Sequence, residues 1–345
     1  MRAAFITGHG GNKVVELAQR PMPARRAGQV LVRMRAATLN RVDLYMRDSG
    51  AGIRHTLPQI MGLDGAGTVE EIDADETRLK RGQHVVLHPG ISCGRCSYCL
   101  RGERTLCMTI QYLGEHRDGT LAEFVSLPAE NVFPMPEALD FAEAASLGVT
   151  YLTAWRMLFT KARVRPWETV LIFGVGGGVS LAALQLAKLA GARVIVTSRD
   201  DGKLARAREL GADHVINGIH EDVVKAVMAA TDGLGVEVVI ENVGEEVWSS
   251  ALKSLARGGR IVTCGATSGD QPPADLRRIF IRQLQIFGST LGDLDEFKTL
   301  LAWVERSRLR PVIDSHYALA DLHGALDRFE AGRQFGKIAI GIEEA

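Results

Sequence analysis

The chain carries no surplus of charge. Among its 345 residues, lysine plus arginine number 41 and aspartate plus glutamate also 41. Nothing in that balance favours nucleic acid or an anionic membrane surface as a partner. Long apolar runs are missing as well. The richest stretch, VSLAALQLAKLA, is interrupted by Lys188 and falls well short of the roughly 18 residues of a membrane span. The opening MRAAFITGHGG reads as a strand and a turn, not as a basic segment followed by an apolar core and a cleavage site. There is no internal repeat and no low-complexity tail. Cysteine is scarce, 5 in all, and without a leader a reducing, cytoplasmic compartment is expected, where clustered thiols favour metal over disulfides. What remains is the balance of a soluble globular protein, 46% apolar and 24% charged, long enough for two domains of ordinary size.

Four of the cysteines fall inside SCGRCSYCLRGERTLC, as Cys93-x2-Cys96-x2-Cys99-x7-Cys107. Four thiolates this close in sequence can surround one tetrahedral Zn(II), leaving no position for substrate. Such a closed site is structural, so a catalytic metal would need ligands elsewhere. Gly94 and Gly102 let the loop curl.

Residues 1 to about 145 read mostly as short strands, among them QVLVRMRAATL, GTVEEI, QHVVLH and TLAEFVSL. A helix is expected over ALDFAEAASLGVTYLTAWRML. The pattern then changes to strand, glycine turn, helix and strand, repeated, which predicts an α/β fold with a parallel sheet. At its head, VLIFGVGGGVSLAALQLAK sets a strand against Gly174, Gly176, Gly177 and Gly178, followed by a helix from Val179. Glycine permits the tight turn and lets backbone N–H groups approach a pyrophosphate at the helix N-terminus. With strand and helix on both sides, the motif predicts a dinucleotide.

An NAD-selective site would place an acid at the end of the next strand, against the ribose 2′-hydroxyl. That acid is missing. The strand RVIVTS ends in Ser198 and Arg199, with Lys203 one helical turn on. Serine removes repulsion against a 2′-phosphate, and the two cations can make charge-assisted contacts to it. NADP(H) is the expected cofactor.

The order of these motifs resembles the medium-chain dehydrogenase/reductase superfamily, home of the zinc alcohol dehydrogenases and the quinone oxidoreductases, along essentially the whole chain. The resemblance implies a GroES-like β-rich catalytic domain at 1–149 and 291–345, with a structural zinc lobe near 92–107. It implies a Rossmann doubly wound parallel sheet at 150–290. It also implies that Asn242, Gly244 and Gly265 line the cofactor site, and that the segment carrying Lys337 returns to it; the plain alternative for Lys337 is a solvent-facing lysine. Laid on the catalytic zinc ligands of that family, this chain offers Asn40, Leu63 and Val149, with Asp64 in the place of a neighbouring acid. Leucine and valine have no donor atom, so that open zinc site cannot form. LNRVDLYMR instead resembles the quinone reductase segment, which makes Asn40, Asp43 and Tyr45 the candidate polar groups.

Without a metal to polarise a carbonyl, hydride transfer suits an acceptor whose conjugation spreads the incoming charge: a quinone, enone or enal. The proton would come from Tyr45 or from water. Asp64 is either a hydrogen-bond acceptor behind the site or a cap after Gly62. His116 reads as a structural turn histidine, and Cys264 as a small buried residue. Two other readings stand beside the reductase: an alcohol or aldehyde dehydrogenase with unconventional metal ligands such as Asp64 and His55, and a cofactor-binding protein without turnover. The segment QLQIFGST reads as the last strand of the Rossmann sheet and, if at an edge, as the contact of a homodimer or homotetramer.

Overall fold

A computed structural model describes residues 1–342. The chain falls into two compact units, one built from Met1–Leu152 and the stretch from Leu291 onward, the other from Thr153–Thr290.

In the first unit a seven-stranded sheet runs in the order Val132–Pro134, His84–Leu87, Asp64–Glu71, Gln29–Thr38, Lys337–Gly341, Ile313–Ala318. Phe124–Pro128 also pairs with Gln29–Thr38. The long central strand is β-branched and alternates where one face is wet. Val30, Val32 and Met34 enter a core with Leu87, Leu127, Ile338 and Ile340, while Arg33 and Arg35 stay outside. Each such side chain contributes roughly 1.5–3 kcal/mol relative to leaving it exposed. Register matters most at Thr38, which sits opposite Asp64 on one side and Ala339 on the other. The helix Arg41–Ser49 starts two residues further on and stops at Gly50, whose left-handed φ of 70° closes its last turn.

The single regular helix expected over residues 138–158 is not what forms. Helical structure runs from Phe141 to Lys161, but with wider π-type turns over Leu147–Tyr151 and Arg156–Lys161. Ser146 Oγ donates to the Glu143 carbonyl at 2.7 Å and Thr150 Oγ1 to that of Ser146 at 3.1 Å. Such back-bonding competes with the regular ladder and disturbs helices.

The second unit holds six parallel strands. Their order is His214–Asn217, Arg193–Ser198, Thr169–Ile172, Val236–Glu241, Leu255–Thr263, Gln285–Gly288. The chain winds outward from Thr169–Ile172 in one direction and then returns to wind in the other. The carboxyl ends of Thr169–Ile172 and Val236–Glu241 therefore flank a topological switch point, where open α/β sheets bind ligands. Gln285–Gly288 is an edge strand. No helix among the described residues is long and apolar enough to cross a membrane.

Candidate functional site

In the second unit, the chain turns sharply after Thr169–Ile172. Gly174 and Gly176 have φ of 67° and 122°, conformations that favour glycine. A Cβ on Gly174 would lie 3.1 Å from Val243 Cγ2, and one on Gly176 would lie 2.8 Å from Lys203 Cδ. Lys203 thus lies across the glycine turn. The helix Gly178–Leu189 begins at Gly177 with no side chain to cap it, leaving the N–H groups at Gly178 and Val179 for an anionic ligand. Asn242 Nδ2 donates to Ser180 Oγ at 3.2 Å, and Ser180 Oγ donates to the Phe173 carbonyl at 2.9 Å. Gly244 and Gly265 bring two loops together: their added Cβ atoms would meet Gly269 O at 2.4 Å and Asn242 O at 3.0 Å.

Sequence reasoning missed the residue that organises those loops. Glu241, fully buried at the end of its strand, accepts from the backbone N–H of Gly244 at 2.7 Å and from Thr263 Oγ1 at 3.1 Å. Its only signal was an acid ending the apolar run VEVVIE. Burial raises its pKa against these hydrogen bonds. Burial and the Glu241 charge push the Cys264 thiol up to about 12, which leaves it unreactive.

At the end of Arg193–Ser198 the nearby acids are already engaged. Asp200 caps the following helix by accepting from Lys203 N at 3.0 Å, and Asp201 accepts from Asn217 Nδ2 at 2.7 Å. The Arg199 side chain is 79% exposed, with its nearest carboxylate, Glu246, 3.9 Å away.

In the first unit the sheet register gathers a polar cluster. Asp64 is fully buried; its Oδ1 accepts from Thr38 N at 3.2 Å and Thr38 Oγ1 at 2.8 Å. Its Oδ2 faces Lys337 Nζ at 3.4 Å. Lys337 is only 3% exposed, neither solvent-facing nor directed to a cofactor, and donates also to Leu39 O at 2.8 Å and Asn40 Oδ1 at 2.6 Å. An ammonium has three donors, so all are used inside this unit. Burial lowers the Lys337 pKa, opposed by Asp64 and Asp43. Asp43 accepts from the N–H of Asn40 at 2.7 Å and of Gly62 at 3.2 Å, as a buried helix cap. Burial pushes its pKa up to about 7. Tyr45, on the same helix, is 38% exposed, and its hydroxyl has no partner among the described residues. Glu115, which no sequence signal marked, belongs to the same neighbourhood through Asp43.

The four cysteine Sγ atoms lie within 4.8 Å of one another. Cys93 and Cys99 are 3.9 Å apart, Cys96 and Cys99 3.5 Å. Tetrahedral zinc with Zn–S bonds of about 2.3 Å would set sulfurs roughly 3.8 Å apart, so the group fits. The N–H of Cys93 donates to Cys107 Sγ at 3.3 Å and that of Cys96 to Cys93 Sγ at 3.4 Å. Backbone N–H groups at Arg95 and Cys96 pull the Cys93 thiol down to about 6. Among the described residues this is the one group of three or more His, Cys, Asp or Glu side chains with converging ligand atoms; Asp64 and His55 join no such group.

Residues 26–137 match the family model of the alcohol dehydrogenase GroES-like domain, and residues 178–306 that of the zinc-binding dehydrogenases. An alcohol dehydrogenase of Geobacillus stearothermophilus is 31% identical over 346 residues, covering 100% of both chains. The chain belongs to the medium-chain dehydrogenase/reductase superfamily. A solved NAD-dependent alcohol dehydrogenase superposes on this medium-chain dehydrogenase with a TM-score of 0.96 and 41% identity, covering 99% of this chain and 100% of the other. A crotonyl-CoA carboxylase/reductase superposes with a TM-score of 0.90 at 26% identity, covering 99% and 88%. As a medium-chain oxidoreductase, the protein combines a GroES-like domain, a nicotinamide cofactor and a structural zinc at Cys93, Cys96, Cys99 and Cys107.

Proposed function

We propose that this protein reduces an activated small-molecule acceptor, a quinone, an enone or an enal, with NADP(H) as hydride donor and without catalytic zinc. The observation that carries this reading is the Lys337 ammonium beside Asp64. Where an alcohol dehydrogenase needs an open metal, this chain has a cation whose three donors are all used, next to Leu63 and Val149, which offer no ligand atom. Oxyanion charge must then be met by hydrogen-bond donors such as Asn40 and Tyr45. Conjugation in the acceptor lowers that demand. The structural zinc holds its lobe together and takes no part in the chemistry.

The second reading, an alcohol or aldehyde dehydrogenase, is favoured by the names of the relatives above. A third, a cofactor-binding protein without turnover, has the burial of Asp43, Asp64 and Lys337 in its favour. NADPH oxidation against quinones, enones, aldehydes and, in reverse, alcohols separates the three, run with and without a strong chelator. Chelator-resistant reduction of a conjugated acceptor supports the proposal; chelator-sensitive oxidation of a simple alcohol supports the second reading.

For the cofactor, Ser198 with Arg199 and Lys203 favours a 2′-phosphate, although a similar solved structure is of an NAD-dependent enzyme. A charge-assisted contact is worth about 1.5–3 kcal/mol, or roughly one to two orders of magnitude in affinity. NADPH is expected to bind at least about tenfold tighter than NADH. Ser198→Asp should invert that preference and Arg199→Ala narrow it, as read by nicotinamide fluorescence. Equal affinities in the unmodified protein would contradict it.

The same reading includes assembly. The edge strand Gln285–Gly288 exposes Ile286, and the helix Leu276–Arg282 exposes Leu276, Phe280 and Ile281. An unpaired edge beside apolar side chains favours pairing across a twofold axis. A dimer or tetramer is expected in light scattering, and Phe280→Glu should shift it toward monomer; a monomeric mass for the unmodified chain would refute the assembly.

A further inference from the structure

Glu115 lies in the turn GEHRDGT, a stretch that reads as solvated, yet it is only 9% exposed. Backbone packing puts it there. Gly114 and Gly119 press on Gly62, so that an added Cβ would come within 2.5 and 2.2 Å of the Gly62 carbonyl oxygen. Thr120 Oγ1 donates to the Asp64 carbonyl oxygen at 2.7 Å. The turn is thereby locked against the strand that carries Asp64.

The Glu115 carboxyl makes no hydrogen bond or ion pair among the described residues, and neither of its oxygens is sealed from solvent. A carboxylate so buried and so bare is costly to keep charged. Every other acid of the cluster is committed: Asp43 to two backbone N–H groups, Asp64 to Thr38 and Lys337. Glu115 alone is open at its head and has nothing to neutralise it.

We propose that Glu115 is the proton donor of the reduction, delivering its carboxyl proton to the acceptor after hydride arrives. This deepens the reductase reading and rests on it. Hydride leaves the reduced nicotinamide with its electron pair and forms a C–H bond at the β-carbon. The displaced π pair moves to the carbonyl oxygen as an enolate. The Glu115 O–H bond breaks, its proton forms the C–H bond at the α-carbon, and the carboxylate regains a proton from water. The nicotinamide ends oxidised, and the acceptor gains two electrons and two hydrogens in all.

Burial, with the Asp43 charge second, pushes the Glu115 pKa up to about 7. Below that pH the acid is loaded; above it the proton is gone and reduction slows. The titratable groups on surrounding elements are Asp43 on the helix, Asp64 and Lys337 on the two strands, His55 in the loop before Gln59, and His116, Arg117 and Asp118 in its own turn. Asp43 rises to a similar value and is therefore the control.

The test uses Glu115→Gln, Glu115→Asp and Asp43→Asn, each as folded full-length protein, with the best acceptor of the panel. Glu115→Gln should lower kcat about 100-fold, in the range for general acids, with KM unchanged. It should also lose the limb in which the rate falls as pH rises through neutrality. Glu115→Asp should restore part of the rate and the limb, and Asp43→Asn should keep the limb. A wild-type limb in Glu115→Gln, or a kcat within a few-fold of wild type, would overturn the proposal and leave the reductase reading intact. If plain aldehydes prove the best acceptors, the acceptor class is wrong while the limb still reports on Glu115; turnover of no acceptor overturns both.

Discussion

Replacing Lys337 with methionine is expected to destabilise the protein by about 3–5 kcal/mol, the usual cost of stranding one partner of a buried ion pair. The reason is what stays behind. Asp64 is fully buried, and without the ammonium its Oδ2 faces no cation while Thr38 still holds Oδ1. Leu39 O and Asn40 Oδ1 lose a donor at the same time. Adding Asp64→Asn should recover about half of the loss, because the neutral amide removes the stranded charge and the two sites are directly coupled. Urea unfolding of the single and double variants checks this. A single variant within about 0.5 kcal/mol of wild type, the range of an ordinary surface change, would mean that Lys337 is not the clasp of the cluster.

Replacing Cys107 with serine is expected to release the zinc and unfold the lobe around residues 92–110. The lobe has almost no core of its own: Leu100, Leu106 and Met108 are all exposed. Metal binding of order 10 kcal/mol is therefore its main source of order. Two ties to the rest of the unit should go with it, the 2.7 Å bond from Thr105 N to Asp293 Oδ1 and the 2.9 Å pair of Arg104 with Glu130. Limited proteolysis reads the effect locally. Cleavage within the lobe should accelerate by orders of magnitude while the second unit keeps its cofactor affinity. A lobe that stays protected after losing its metal would show that packing holds it.

Features that are local in sequence were legible there. The cysteine spacing announces its metal because all four ligands sit on one short loop, and the glycine turn announces a phosphate because strand, turn and helix are consecutive. The partnership of Lys337 and Asp64 spans 273 residues and depends on three strands meeting in register at Thr38, which no local pattern encodes. Lys337 at a strand start looks like a lysine in solvent. Glu115 was hidden for the opposite reason: its turn is polar and glycine-bearing, and only the approach of Gly114 and Gly119 to Gly62 buries it. Asp43 reads as a candidate catalytic acid, yet its two hydrogen bonds to backbone N–H groups make it the cap that fixes the helix behind Tyr45. The π-type turns near Val149 escaped because the apolar spacing there also suits a regular helix.

Zinc counted by elemental analysis in the wild-type protein and in Cys107→Ser tests most directly whether the reacting groups work without metal. One zinc per chain is expected in the wild type and none in the variant. Two in the wild type, or one remaining in the variant, would put a metal beside Asp64 or elsewhere outside the cysteine lobe and contradict the metal-free reductase.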